Sequence, residues 1–112
     1  MINYDGKRFA SRENTENGEV SSETIFHYHQ KGNLVWAEYS GGSVKMGNLI
    51  AIANKDGSLE MRYQHINHKN EFMTGICNSV PEIMPDGKLR VYEKWQWTCK
   101  DCSVGTSIIE EL

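Results

Sequence analysis

The 112-residue sequence predicts an all-β fold: a single antiparallel meander of about eight strands, closed into an up-and-down barrel. Two observations carry that expectation. Turn-forming residues recur along the whole chain, at Asn17-Gly18, Lys31-Gly32-Asn33, Gly41-Gly42, Asp56-Gly57, Asn67 to Asn70, Pro85-Asp86-Gly87, and Lys100-Asp101 leading to Gly105. Gly, Asn and Asp accept the positive φ values that tight hairpins demand, and the segments between them are rich in Val, Ile, Thr, Tyr, Phe and Trp. No window keeps apolar residues at three- and four-residue spacing for the ten or so residues a helix requires before a glycine intervenes.

These turns divide the chain into strands at about 7–12, 22–30, 34–40, 43–54, 58–67, 71–80, 88–99 and 104–111. The first ends before Asn17-Gly18, and the second, "ETIFHYHQ", stops at Lys31-Gly32. The third, "NLVWAEYS", meets Gly41-Gly42, and the fourth runs from there to Asp56-Gly57. The fifth, "SLEMRYQHIN", gives way to the Asn67–Asn70 turn, the sixth to Pro85-Asp86-Gly87, and the seventh and eighth flank Lys100-Asp101. Short connections make sequential strands antiparallel neighbours, because a parallel pair needs a crossover of a dozen or more residues. Closing an eight-stranded meander removes both of its edges and encloses either packed side chains or one small ligand. Residues 1–112 therefore read as one barrel domain, with an open glycine-rich β-roll as the alternative architecture.

Alternation across each strand assigns the faces. In the seventh, Leu89, Val91, Glu93, Trp95, Trp97 and Cys99 share the apolar face and are placed inside. In the fifth, Leu59, Met61, Tyr63, His65 and Asn67 do the same, and Phe26 and Tyr28 are placed inside from the second. In the third strand the bulk of Trp36 favours the set Leu34, Trp36 and Glu38 for the interior over Val35, Ala37 and Tyr39. An ionised carboxylate removed from water is costly unless paired or hydrogen-bonded, so an inward Glu93 marks a place where something other than stability is served. Glu93 and Glu38 at water-filled barrel mouths, with the tryptophans as ordinary core, is the competing account.

The remaining composition excludes more than it identifies. A net charge of −3, with basic and acidic residues interspersed, offers no basic face for nucleic acid or an anionic membrane. No apolar run approaches the roughly 18 residues of a membrane helix, and no apolar leader core follows the amino-terminal charges, so a cytoplasmic protein is expected. Cys99-Lys100-Asp101-Cys102 closes a hairpin with no helix to lower a thiol pKa and no second ligand pair for zinc, and is read as a turn. His27 and His29 share an outer strand face without the nearby glutamate of a cupin-like metal motif. No metal and no cofactor are expected.

The stretches "VWAEYSGGSVKMGNLIA", "MRYQHIN", "PEIMPDGKLRVYEKWQWT" and "GTSIIEE" resemble a group of small bacterial proteins of about this length, over most of the chain. Members often carry the label N-acetylglutamate synthase, and the resemblance implies that label. The Q/R-x-x-G-x-G/A cradle for acetyl-CoA pyrophosphate has no counterpart in these residues. As architecture the meander is similar to the calycins, the lipocalin- and avidin-like barrels, although a lipocalin's G-x-W is missing. Three functions follow. The first is a barrel that binds a small molecule against Trp36, Trp95 and Trp97, with Glu38, Tyr63, His65 and Glu93 orienting its polar end. The second is a cofactor-independent enzyme using Glu93 and His65 as an acid-base pair. The third is a barrel filled by its own side chains, serving as a structural or interaction module.

Overall fold

The computed structural model describes residues 2–112. Eight strands, β1 (Arg8–Asn14), β2 (Ile25–Lys31), β3 (Leu34–Gly41), β4 (Val44–Ala53), β5 (Leu59–Asn67), β6 (Phe72–Ile83), β7 (Leu89–Trp97) and β8 (Val104–Glu111), pair with their sequence neighbours. β8 returns antiparallel to β1 and closes the barrel. Closure gives every strand two neighbours, with β1 and β2 pairing over Arg8–Ala10 and Ile25–His27 only. Gly57 and Gly87, both at φ 86°, make the sharp reversals between β4 and β5 and between β6 and β7.

The two ends of the barrel are closed differently. At the end that carries those two turns, the segment preceding β1 folds across the opening and buries Tyr4 completely. The Tyr4 hydroxyl donates to the Gly57 carbonyl at 2.6 Å, its amide donates to Gln30 Oε1 at 2.8 Å, and its ring stacks on Tyr28 with centroids 5.7 Å apart. Tyr4, Phe9, Tyr28, Val35, Leu59, Val91 and Ile109 are each no more than 1% exposed, so this half of the lumen is solid core.

The opposite end is covered by the connection between β1 and β2, residues 15–24, which is much longer than a hairpin turn. Sequence pattern put the start of β2 at residue 22; instead Ser21 to Thr24 form a turn, held by the Thr24 amide donating to the Ser21 carbonyl at 2.9 Å. Gly41, at φ 117°, admits this loop: a Cβ there would collide with the Glu23 carbonyl oxygen, and the buried Thr24 hydroxyl donates to the Gly41 carbonyl at 3.0 Å.

β3 corrects the sequence reading. Val35, Ala37 and Tyr39 face inward at 0%, 1% and 3% exposure, whereas Glu38 is exposed and Trp36 is only partly covered, on the outside. Ala37 pairs with Tyr28 on one side and Leu49 on the other, so the lumen at this level is already filled by a tyrosine and has room only for a methyl group. Tyr39 packs on Phe26, with ring centroids 4.8 Å apart. Outside, Trp36 stacks on His29 at 5.4 Å, and His29 Nε2 donates to Glu38 Oε1 at 2.8 Å. Trp36 and Glu38 are thus removed from the interior site.

Candidate functional site

β5 and β7 present their polar residues as the alternation predicted: Tyr63, His65, Glu93, Trp95 and Trp97 all point inward. Their surroundings separate them into two groups. Glu93, Trp95, Trp97 and Tyr63 line a cavity in the upper half of the barrel, beneath the residue 15–24 loop. It offers about 50 Å3 to the centre of a water-sized sphere. His65 belongs to the rim instead. Its Nε2 donates to Glu19 Oε1 at 2.7 Å, which leaves Nδ1 to accept from the Tyr39 hydroxyl at 2.9 Å.

The cavity exists because glycines make the wall thin beside large rings. Gly75, inward on β6, is covered by the Tyr63 ring and hydroxyl; Gly105, on β8, is covered by the Trp95 indole; Gly47, on β4, is covered by Tyr39. Each ring lies flat against backbone on the neighbouring strand where a Cβ would push it into the lumen. Gly75→Ala is therefore expected to drive Tyr63 off the wall and into the cavity, costing roughly 1–3 kcal/mol by overpacking and removing any ligand response. Denaturant unfolding and the binding assay described below, run on the same variant, check both parts.

Below the aromatic shelf runs a belt of polar side chains. Ser79 on β6 pairs with Glu93 on β7, Glu93 with Ser107 on β8, and Ser107 with Asn14 on β1, so four successive strands place a polar residue at one level. The Ser107 hydroxyl donates to Glu93 Oε1 at 2.7 Å. Burial pushes the Glu93 carboxyl up to about 7, against the opposing pull of the hydrogen bonds from Ser107 and Ser79. The same desolvation, reinforced by the negative charge of Glu93, raises Tyr28, Tyr63 and Cys77 far above their ordinary values, so these neighbours are neutral donors. Among the described residues, two buried side-chain polar atoms have no hydrogen-bond partner, Tyr28 Oη and Asn14 Oδ1.

The loop over the mouth is tied down by the site residues themselves. Trp97 Nε1 donates to the Asn17 carbonyl at 3.0 Å, Asn14 Nδ2 to the Val20 carbonyl at 2.8 Å, and Asn67 Nδ2 to Glu19 Oε2 at 3.0 Å. Gly18, Glu19 and Val20 form part of the cavity lining.

This geometry separates Glu93 from His65. His65 lies opposite Met73 and Glu93 opposite Ser79 on the same strand β6, so six residues of strand, about 20 Å of backbone, separate the two levels. The polar partners of His65 are Glu19 and Tyr39, and that of Glu93 is Ser107, so the two groups are not joined by a hydrogen bond. Among the described residues no group of three or more His, Cys, Asp or Glu is placed to hold a metal ion. Cys99 and Cys102 lie in the turn after β7, where the Cys102 amide donates to the Cys99 carbonyl at 3.1 Å, and all three cysteines are free.

Sequence reasoning missed Ser79 and Ser107, although each has the inward parity of its strand, and Asn14, which faces inward only because a bulge between Ser11 and Glu13 shifts the parity of β1. Small polar residues next to apolar ones simply drew no attention. Glu19 carried no periodic signal at all, because it is on a loop.

Fold and interior together define a closed, eight-stranded, antiparallel up-and-down barrel of calycin type, solid at one end and hollow beneath a loop at the other. The chain belongs to the avidin-like protein family, whose profile matches residues 2–112. No curated protein and no solved structure gives a significant match.

Proposed function

We propose that the protein binds a small molecule in the upper half of its barrel, between the Trp95, Trp97 and Tyr63 rings and the Glu93 belt. One observation carries this reading: Glu93 points inward, without a basic partner among the described residues, on the wall of a cavity that Tyr63, Trp95 and Trp97 also line. A barrel selected only for stability would have an apolar side chain at that position. Aromatic walls with a few convergent polar groups are the usual makeup of a small-molecule site, and membership of a family of ligand-binding barrels agrees with it. The loop carrying Glu19 lies across the entrance, so entry requires that the Glu19 contacts to His65 and Asn67 open.

The close packing of the Tyr4 end fits the filled-barrel account, whereas the cavity at the Glu93 level supports binding. Binding is tested by intrinsic tryptophan fluorescence across a metabolite panel of amines, acids, sugars and heterocycles. A ligand is expected to perturb the signal through Trp95 and Trp97, and to stabilise the fold by about 2.7 kcal/mol at a hundred times its Kd. A panel that leaves both fluorescence and melting temperature unchanged would sink the proposal.

A further inference from the structure

Building on that reading of the cavity, we infer that its ligand is a compact organic cation with N–H donors, an amidinium, guanidinium or primary ammonium head that docks on Glu93 under the Trp95 and Trp97 indoles.

Charge is the first argument. The cavity lining contains two carboxylates, Glu93 and Glu19, and no lysine, arginine or histidine. Glu19 is answered by His65 and Asn67. Glu93 forms no ion pair with any described residue, and the groups facing it from the surrounding strands, Ser79, Ser107, Tyr28, Tyr63 and Cys77, are all neutral. A half-buried carboxylate on a cavity wall, without a counter-charge, is what an incoming cation would complete.

Hydrogen-bond valence points the same way. Glu93 accepts from serine hydroxyls, and an ionised carboxylate has room for about four bonds in all. On the same belt, Asn14 Oδ1 is a buried acceptor with no donor. The complementary ligand therefore supplies donors.

The walls and the space fit. Trp95 and Trp97 meet edge to face, with centroids 5.4 Å apart, and Tyr63 meets Trp97 at 5.8 Å, so indole and phenol surfaces converge above the carboxylate. Aromatic faces attract cations, most strongly when desolvated. About 50 Å3 of water-centre space corresponds to roughly four water positions, the size of a planar head of about four heavy atoms.

Acetamidinium, acetamide and acetate share one heavy-atom skeleton and differ in charge and donors. They are titrated into 15N-labelled protein at pH 8, with the three indole N–H resonances as readout. Trp36 lies outside the barrel and is the internal control. Acetamidinium is expected to shift the Trp95 and Trp97 resonances saturably, at least about tenfold more tightly than acetamide, with acetate silent and Trp36 unmoved. Glu93→Gln, which keeps the side-chain shape, is expected to abolish the difference between acetamidinium and acetamide. Equal or tighter binding of acetamide or acetate at the same indoles, or a preference for acetamidinium that survives Glu93→Gln, overturns the cationic assignment and leaves cavity binding intact. Failure of all three compounds and of the wider panel to move either inner indole overturns both.

Discussion

Glu93→Gln is expected to make the protein more stable at pH 8, by about 3 kcal/mol, and indistinguishable from the parent at pH 4. The carboxyl ordinarily loses its proton near 4.5, whereas burial in the barrel delays this to about 7. Below 4.5 both the folded and the unfolded chain hold the proton, and the group does not affect stability. Between 4.5 and 7 the unfolded chain releases it first, so stability declines with rising pH; above 7 the loss is complete. The gap corresponds to about 3 kcal/mol at 1.36 kcal/mol per pH interval, equivalent to roughly 10–20 °C in the melting temperature of a domain this size. Glutamine still accepts the Ser107 hydrogen bond but carries no charge. Guanidinium unfolding of both proteins at pH 4, 6 and 8 gives the difference directly, since every other titrating group cancels. A variant no more stable than the parent at pH 8 would mean that water or a neighbouring group already solvates the carboxylate.

Tyr4→Ala is expected to have the opposite sign and a larger size, a loss of about 3–5 kcal/mol. Tyr4 is a terminal-segment residue with the burial of a core residue: fully covered, stacked on Tyr28, and hydrogen-bonded to the Gly57 carbonyl. Its removal opens the solid end of the barrel and exposes Phe9 and Tyr28, which pack edge to face at 5.0 Å. Tyr4→Phe keeps the ring and deletes only the donor, so it should lose no more than about 1–3 kcal/mol, from the Gly57 carbonyl left unpaired. The two variants compared by urea unfolding separate the plug from its hydrogen bond. A Tyr4→Ala protein within 1 kcal/mol of the parent would show that the segment before β1 rests on the barrel without holding it closed.

Together these two substitutions describe a division of labour along one axis. The Tyr4 end provides stability through close packing, and the Glu93 level gives some of it up by keeping a charge-prone group and open space inside. Substitutions that stabilise the hollow half are those expected to weaken binding there, the common trade-off at functional sites.

Much of this was legible in the residues. Glycine- and asparagine-bearing turns at short intervals fixed the number of strands, and short connections fixed their antiparallel order. Alternation placed Glu93, Trp95 and Trp97 inside together, because β7 is regular over its full length and its apolar residues all fall on one parity. On β3 both parities offered an aromatic residue, and the larger indole was the wrong guide. Which of Trp36 and Tyr39 turns inward depends on partners far away in the chain: Tyr28 leaves room only for Ala37, while Phe26 and His65 receive Tyr39.

The sequence by itself therefore determined the barrel, its strand order and the acidic, aromatic face of β7, since these follow from local periodicity and turn chemistry. Only the tertiary structure decided that Tyr4 plugs one end, that Glu19 reaches His65 across the other, and that Ser79, Glu93, Ser107 and Asn14 form a single belt. Those relations depend on the register between strands and on where irregular segments come to rest. Both are set by the packing of the whole lumen, which no stretch of chain encodes alone.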